Sequence, residues 1–199
     1  MGDTIEMPLF PLGTVLFPDG WLPLRIFEPR YVEMTKACLR AKAPFGVVLI
    51  HAGFETGIPA VPWQVGCSAR IVECEASAPQ HFALLCRGKT RFRILDRQAR
   101  SDGLLTGHVA LLPALPAIPL PASHAALEVL WQRLLRARGL HDAPAPDRQA
   151  NAPWIAYRIA ECLPVTPERK QRLLECTTLD ALLAGLAAEL QALESADAG

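Results

Sequence analysis

The chain has 199 residues, 51 % of them hydrophobic and 20 % charged, with 20 Lys+Arg against 20 Asp+Glu. That length accommodates one large domain or two small ones, and the apolar share excludes global disorder. The zero net charge argues against a chain that coats nucleic acid by neutralising phosphates, and residues 1–110 hold a balanced 12 basic and 10 acidic side chains.

The N-terminus, Met1-Gly2-Asp3-Thr4-Ile5-Glu6, is acidic and lacks the apolar run of a secretory signal. Residues 104–127 carry no Asp, Glu, Lys or Arg, but Pro113, Pro116, Pro119 and Pro121 exclude a membrane helix there. No two of the six cysteines are spaced C-x-x-C, so reduced, mostly buried thiols are expected and a zinc site is not. The expected compartment is the cytoplasm, with no membrane contact and no cofactor.

Prolines and glycines concentrate in the first 121 residues, which hold 13 of the 18 prolines and 10 of the 13 glycines. Alternating patterns predict strands at 5–10, 21–27, 45–51, 65–76, 81–87, 90–97 and 104–112. The clearest is Thr90-Arg91-Phe92-Arg93-Ile94, where Arg91 and Arg93 face one way and Phe92 and Ile94 the other. Between the second and third strands, 29–42 reads as a helix. Pro29 stands in its first turn, and Glu28 lies at its N-terminus, where negative charge is favoured. The stretch 113–121, PALPAIPLP, reads as a stiff linker. Helices follow at 123–138, at 153–163 and after Thr166-Pro167. A final helix is announced by Thr177-x-x-Asp180, which has the form of a capping box.

Catalytic signatures are missing. Gly88-Lys89-Thr90 imitates the end of a phosphate-binding loop, but the earlier glycine is replaced by Ala83 and the segment joins two strand patterns rather than opening a helix. The five histidines are scattered singly, and Cys86 with His81 or His108 is the best dyad available. Glu73 and Glu75 are expected on one solvated strand face. No enzymatic activity is expected.

The segment 7–49 carries the most information. Pro8-Leu9-Phe10-Pro11-Leu12, Val15-Leu16-Phe17-Pro18, Leu22-Pro23-Leu24-Arg25-Ile26-Phe27-Glu28-Pro29-Arg30-Tyr31 and Phe45-Gly46-Val47-Val48 follow one another there. Val65-Gly66-Cys67-Ser68-Ala69-Arg70-Ile71 and Arg87-Gly88-Lys89-Thr90-Arg91-Phe92-Arg93-Ile94 come next. This series resembles the N-terminal substrate-binding domain of Lon (La) ATP-dependent proteases, densely over 5–112 and more loosely beyond. The Walker loop and peptidase motif of those proteases have no counterpart here. The chain therefore looks like a stand-alone Lon substrate-binding-domain protein of bacterial type.

The resemblance implies an α+β fold: a PUA-like β pseudobarrel with one inserted helix over 1–112, the linker 113–121, and a helical bundle over 122–199. It implies a non-catalytic module that binds unfolded or degron-bearing polypeptides, with a separate protease as a further partner. Aromatic anchors in loops suit that task, and Phe17, Trp21, Phe54 and Trp63 are the candidates, with the Glu28, Arg30 and Tyr31 turn as a second surface. Such side chains equally serve to close barrel ends. The alternative is RNA binding by a basic hairpin at 87–100, through Arg87, Lys89, Arg91 and Arg93. The neutral charge balance disfavours nucleic acid.

Overall fold

A computed structural model of the chain describes residues 4–55, 60–78, 80–137 and 151–197. The chain divides into two compact units, Met1–Ala114 and Leu115–Gly199.

The first unit contains strands β1 (Thr4–Leu12), β2 (Trp21–Ile26), β3 (Phe45–Ala52), β4 (Val61–Ala78), β5 (His81–Ala99) and β6 (Leu105–Leu111), with helix α1 (Pro29–Ala41) after β2. The order is β2-β5-β4-β3-β1-β6, and β5 also pairs with β6. That last pairing closes β6, β1, β3, β4 and the far half of β5 into a ring. All neighbours are antiparallel except β1 and β3, which run parallel because the chain crosses over through β2 and α1 between them. Beyond the ring, β4 and the near half of β5 continue as a two-stranded extension, and β2 adds to its edge through Trp21↔Arg87 to Ile26↔Phe82. Pro23 is tolerated in β2 because an edge strand leaves one row of donors unused.

Two hydrophobic cores follow from this layout. Inside the ring, Met7, Leu9, Val48, Phe92, Ile94, Leu105 and Val109 pack together. The Phe92 ring fits because two facing strands offer glycine. A Cβ on Gly46 would stand 2.6 Å from its Cζ, and one on Gly66 would stand 2.7 Å from it. The second core lies between α1, strands β1 and β3 of the ring, and the extension. Tyr31, Val32, Met34 and Cys38 of the helix meet Phe10, Phe45, Val47, Leu84 and Cys86. The period-3.6 face of α1 and the period-2 faces of the strands thus bury one continuous apolar layer.

The 87–100 segment departs from expectation. It is not a hairpin between two strands but the middle and far part of one 19-residue strand, β5. Gly88 sits where the β4–β5 register shifts, opposite Ala69, and the strand runs on through it. The reason for a glycine is steric. The Phe17 carbonyl oxygen lies 2.1 Å from where a Cβ on Gly88 would be. The β1–β2 loop docks on the strand there, with Gly88 N–H donating to Gly20 O at 2.8 Å and Asp19 N–H donating to Gly88 O at 3.0 Å. Asp19 takes the left-handed conformation, φ 59°, to make this turn.

The second unit contains a 3-10 turn (Ala122–His124) and helices α2 (Ala125–Ala137), α3 (Ala152–Cys162), α4 (Pro167–Glu175) and α5 (Leu179–Asp197). The expected helix 123–138 ends, at residue 138, outside the described residues. In the expected linker, Leu115 is buried and the Ile118 carbonyl accepts the Ala152 N–H, so this segment packs on its own unit. Asn151 caps α3, accepting Trp154 N–H at 3.0 Å. The cap of α5 is Thr178 rather than Thr177: its hydroxyl accepts Ala181 N–H at 3.2 Å. The cap moves one residue on because Leu179, the first helical residue, has to enter the apolar layer formed with Leu182, Leu183 and Leu186, all buried.

Candidate functional site

The sequence-predicted residues fall into three groups. Phe17 is fully buried and belongs to the core. Glu28, Arg30 and Tyr31 are brought together, but as a structural staple. Arg30 pairs with Glu28 at 2.9 Å, donates to the Gly103 carbonyl in the β5–β6 turn at 3.1 Å, and lies 4.7 Å over the Tyr31 ring. Tyr31 in turn packs edge-on against Phe10 at 4.1 Å. This turn of α1 is thereby tied to a segment seventy residues away, and both Arg30 and Tyr31 are buried. The remaining three, Trp21, Phe54 and Trp63, reach the surface. Trp63 is half-buried and meets His51 edge-on at 5.2 Å. Phe54 is 82 % exposed, and its neighbour Glu55 accepts the Gly13 N–H at 2.6 Å. The β1–β2 loop therefore receives the Phe54-Glu55 segment at its start and presents Trp21 at its end.

Trp21 is the best supported of these. It is 51 % exposed at the first position of the edge strand β2. The Arg87 guanidinium lies 5.1 Å over its ring and is itself held by Asp19 at 3.3 Å. A half-exposed indole held by a cation that a carboxylate fixes in place loses little conformational entropy when it binds. The register then lays out the rest of the outer face. Trp21, Arg87 and Arg70 form one row, Pro23, Leu85 and Glu73 the next, and Arg25, Ala83 and Glu75 the third. The β4 bulge adds Val72, which is 50 % exposed. Sequence reasoning missed Pro23, Leu85 and Val72 as surface residues. The alternation of β2 carried the signal for Pro23; nothing local marks the bulge that exposes Val72.

The basic segment does not present one face. Arg91 is buried and donates to the Pro113 carbonyl at 3.2 Å, although its strand parity matches that of exposed Arg93. Arg87 is engaged with Trp21 and Asp19, and Arg100 with Asp102 at 3.4 Å. Lys89 and Arg93 remain exposed.

Cys86 is fully buried and its thiol is pushed up to about 12, first by that burial. It is a core thiol, not a nucleophile. Tyr31 is likewise pushed up to about 12 by burial, against the opposing charge of Arg30. Both groups hold their protons to higher pH when folded than when unfolded. Their contribution is complete below about pH 9 and is lost as pH rises towards 12. The melting temperature is expected to fall between pH 8 and pH 11, and to fall less in Tyr31→Phe; thermal melts followed by circular dichroism check this. Among the described residues no group of three or more His, Cys, Asp or Glu could hold a metal ion. No described helix is long and apolar enough to cross a membrane.

The first unit is thus a closed strand ring with an extended, aromatic-bearing edge, and the second is built of helices. Residues 6–191 match the family described as the ATP-dependent protease La (LON) substrate-binding domain, and the chain belongs to that family. Among similar proteins, the Lon protease of Paraburkholderia phytofirmans is 30 % identical over 91 % of this chain and 24 % of its own length. The Lon protease of Anaeromyxobacter dehalogenans is 24 % identical over 92 % of this chain and 19 % of its own length. The chain thus spans about a fifth to a quarter of these relatives. Among solved structures, the Lon N-terminal domain protein from Xanthomonas campestris superposes with a TM-score of 0.78 at 30 % identity, covering 92 % of this chain and 98 % of that one. The N-terminal domain of the Mycobacterium avium complex Lon protease shares the fold, with a TM-score of 0.63 at 16 % identity over 93 % of this chain and 97 % of that one.

Proposed function

We propose that the chain is a non-catalytic recognition module that binds apolar stretches of unfolded or degron-bearing polypeptide. It does so on a PUA-like barrel joined to a helical bundle, with a separate protease as the downstream partner. The observation that carries this reading is Trp21, half-exposed on an edge strand yet covered by Arg87, which Asp19 holds in place. The apolar Trp21, Pro23, Leu85 and Val72 would meet a polypeptide's side chains. The mixed charges of Arg25, Arg70, Glu73 and Glu75 around them tolerate varied sequences. The family supports the same reading through its description as a substrate-binding domain.

The test is titration of the purified protein against fluorescein-labelled unfolded casein, read by anisotropy, with a mixed-sequence single-stranded RNA as the control. Saturable casein binding that survives physiological salt is expected. Trp21→Ala is expected to weaken it about tenfold, because a rigid aromatic at the centre of a contact typically carries more than about 1 kcal/mol. Salt-steep RNA binding without casein binding would overturn the reading and direct attention to Lys89 and Arg93.

A further inference from the structure

Helix α1 covers the inner face of the extension, where Leu22, Leu24, Ile71 and Phe82 pack against the core. The outer face is open, and its charges are poorly arranged for a lone chain. Arg70 stands directly opposite Arg87 across β4 and β5. Like charges in that position destabilise a sheet. Arg87 is offset by Asp19 and the Trp21 ring. Arg70 is exposed and has no ion pair among the described residues. Farther along the same face of β4, Glu73 and Glu75 are exposed and equally unpaired there. Along β4 the face is thus basic at Arg70 and acidic at Glu73 and Glu75, with half-exposed Val72 between them.

That order of charges is self-complementary. Consider two such faces packed together about a two-fold axis that lies between the sheets and runs across the strands. The axis keeps the strand order and reverses the order of the rows, and facing side chains interdigitate. Arg70 then falls between the partner's Glu73 and the partner's Glu75. Trp21 falls between the partner's Pro23 and the partner's Arg25, an apolar contact beside a cation for the indole face. Leu85 and Val72 meet near the axis. An axis running along the strands would instead set Arg87 on the partner's Arg87, which like-charge repulsion opposes.

We infer that the outer face of the extension pairs with the same face of a second copy of this chain and so caps Trp21 until a client displaces it. A second copy is the occupant because each copy supplies the acids that the other's Arg70 lacks. The chain also holds 20 basic and 20 acidic residues, so two copies do not repel each other at long range. Strand spacing and rise make the face about 14 Å by 20 Å. That is small against the roughly 1,600 Å² of a standard interface, so the pair is weak and exchangeable. A cap has to be weak if a client is to displace it. The capping role rests on the polypeptide-binding reading, whereas the pairing itself does not.

The experiment is a charge swap on the full chain. In sedimentation velocity between about 10 µM and about 500 µM, the mass is expected to rise from 21.7 kDa towards that of a dimer. Arg70→Glu alone, and Glu73→Lys with Glu75→Lys, are each expected to weaken association at least about tenfold, because each sets like charges against one another across the axis. Mixed in equal amounts, the two variants are expected to associate with each other at least as well as the parent does with itself, because the mixed pair restores both charge contacts. Arg70→Glu is expected not to lower the melting temperature, since it replaces the repulsion from Arg87 by attraction. A parent that stays monomeric throughout, or a mixture that associates no better than its parts, overturns the pairing. Energy transfer between donor-labelled and acceptor-labelled parent copies is expected to fall as unlabelled unfolded casein is added. Transfer that persists at saturating casein overturns the capping role. Trp21-dependent casein binding by a chain that never self-associates overturns the pairing and leaves the client surface standing. Charge-swapped association without casein binding overturns the client reading and the cap, and leaves the pairing.

Discussion

Phe92→Ala is expected to lower stability by about 3–5 kcal/mol, the range for deleting a buried aromatic side chain. The upper part of that range is anticipated because the site cannot collapse. Phe92 is 0 % exposed and sits inside a closed ring, where Leu9, Val48 and Val109 are each held by strand pairing on both sides. The facing positions, Gly46 and Gly66, have no side chain to move into the space. A cavity of benzene size would remain and be lined by apolar groups, too apolar for water to fill favourably. Urea denaturation is the measurement. The midpoint should fall by more than about 1 M with an unchanged slope, since a typical slope is about 1–3 kcal/mol per M. The reciprocal change gives a second handle. Gly66→Ala should cost about 1–3 kcal/mol by overpacking. Combining it with Phe92→Leu should recover only part of that loss, because the new Cβ would also stand 2.5 Å from the Val47 carbonyl oxygen. A loss below about 1 kcal/mol for Phe92→Ala would mean that the ring is not closed around this residue.

How much of this was legible in the sequence depends on whether the deciding contact is local. Strand positions were legible because alternation is local, and β1, β2, β3 and β6 begin and end within a residue or two of where the pattern puts them. Strand β5 reads as two strands in sequence because Gly88-Lys89 interrupts the alternation. The cause of that glycine, a carbonyl seventy-one residues earlier in the chain, has no local trace. Arg91 and Arg93 share a parity and look alike in sequence, yet one is buried against Pro113 and the other is exposed. Parity fixes a face, not whether another segment covers it. The same holds for Phe17 and Trp21. Both stand in one proline-punctuated stretch, and the turn at Asp19 sends the first inwards and leaves the second half-exposed.

Gly88→Ala joins the fold to the proposed function and is expected to cost about 2–4 kcal/mol. Overpacking alone accounts for about 1–3 kcal/mol. Here the obstacle is backbone, the Phe17 carbonyl oxygen 2.1 Å from the new Cβ, so no side-chain rotation relieves it. The loop or the strand has to move, and either movement breaks the two hydrogen bonds that dock the loop, Gly88 N–H to Gly20 O and Asp19 N–H to Gly88 O. Asp19 then loses the support that holds it in the left-handed region. Its carboxylate is what anchors Arg87 over the Trp21 ring, so the clamp loosens with the loop. Casein affinity is therefore expected to fall at least as far as in Trp21→Ala, about tenfold, although Gly88 itself has no side chain to touch a ligand. Lys89→Ala is the control. Its exposed neighbouring side chain should leave stability within about 0.5 kcal/mol and casein binding unchanged. A phosphate-binding use of the Gly88-Lys89-Thr90 segment would give the opposite order, with Lys89 essential and Gly88 tolerant of a methyl group. Urea midpoints and anisotropy titrations on the two variants separate the possibilities, and a Gly88→Ala protein that melts and binds like the parent would show that the loop does not dock on this strand.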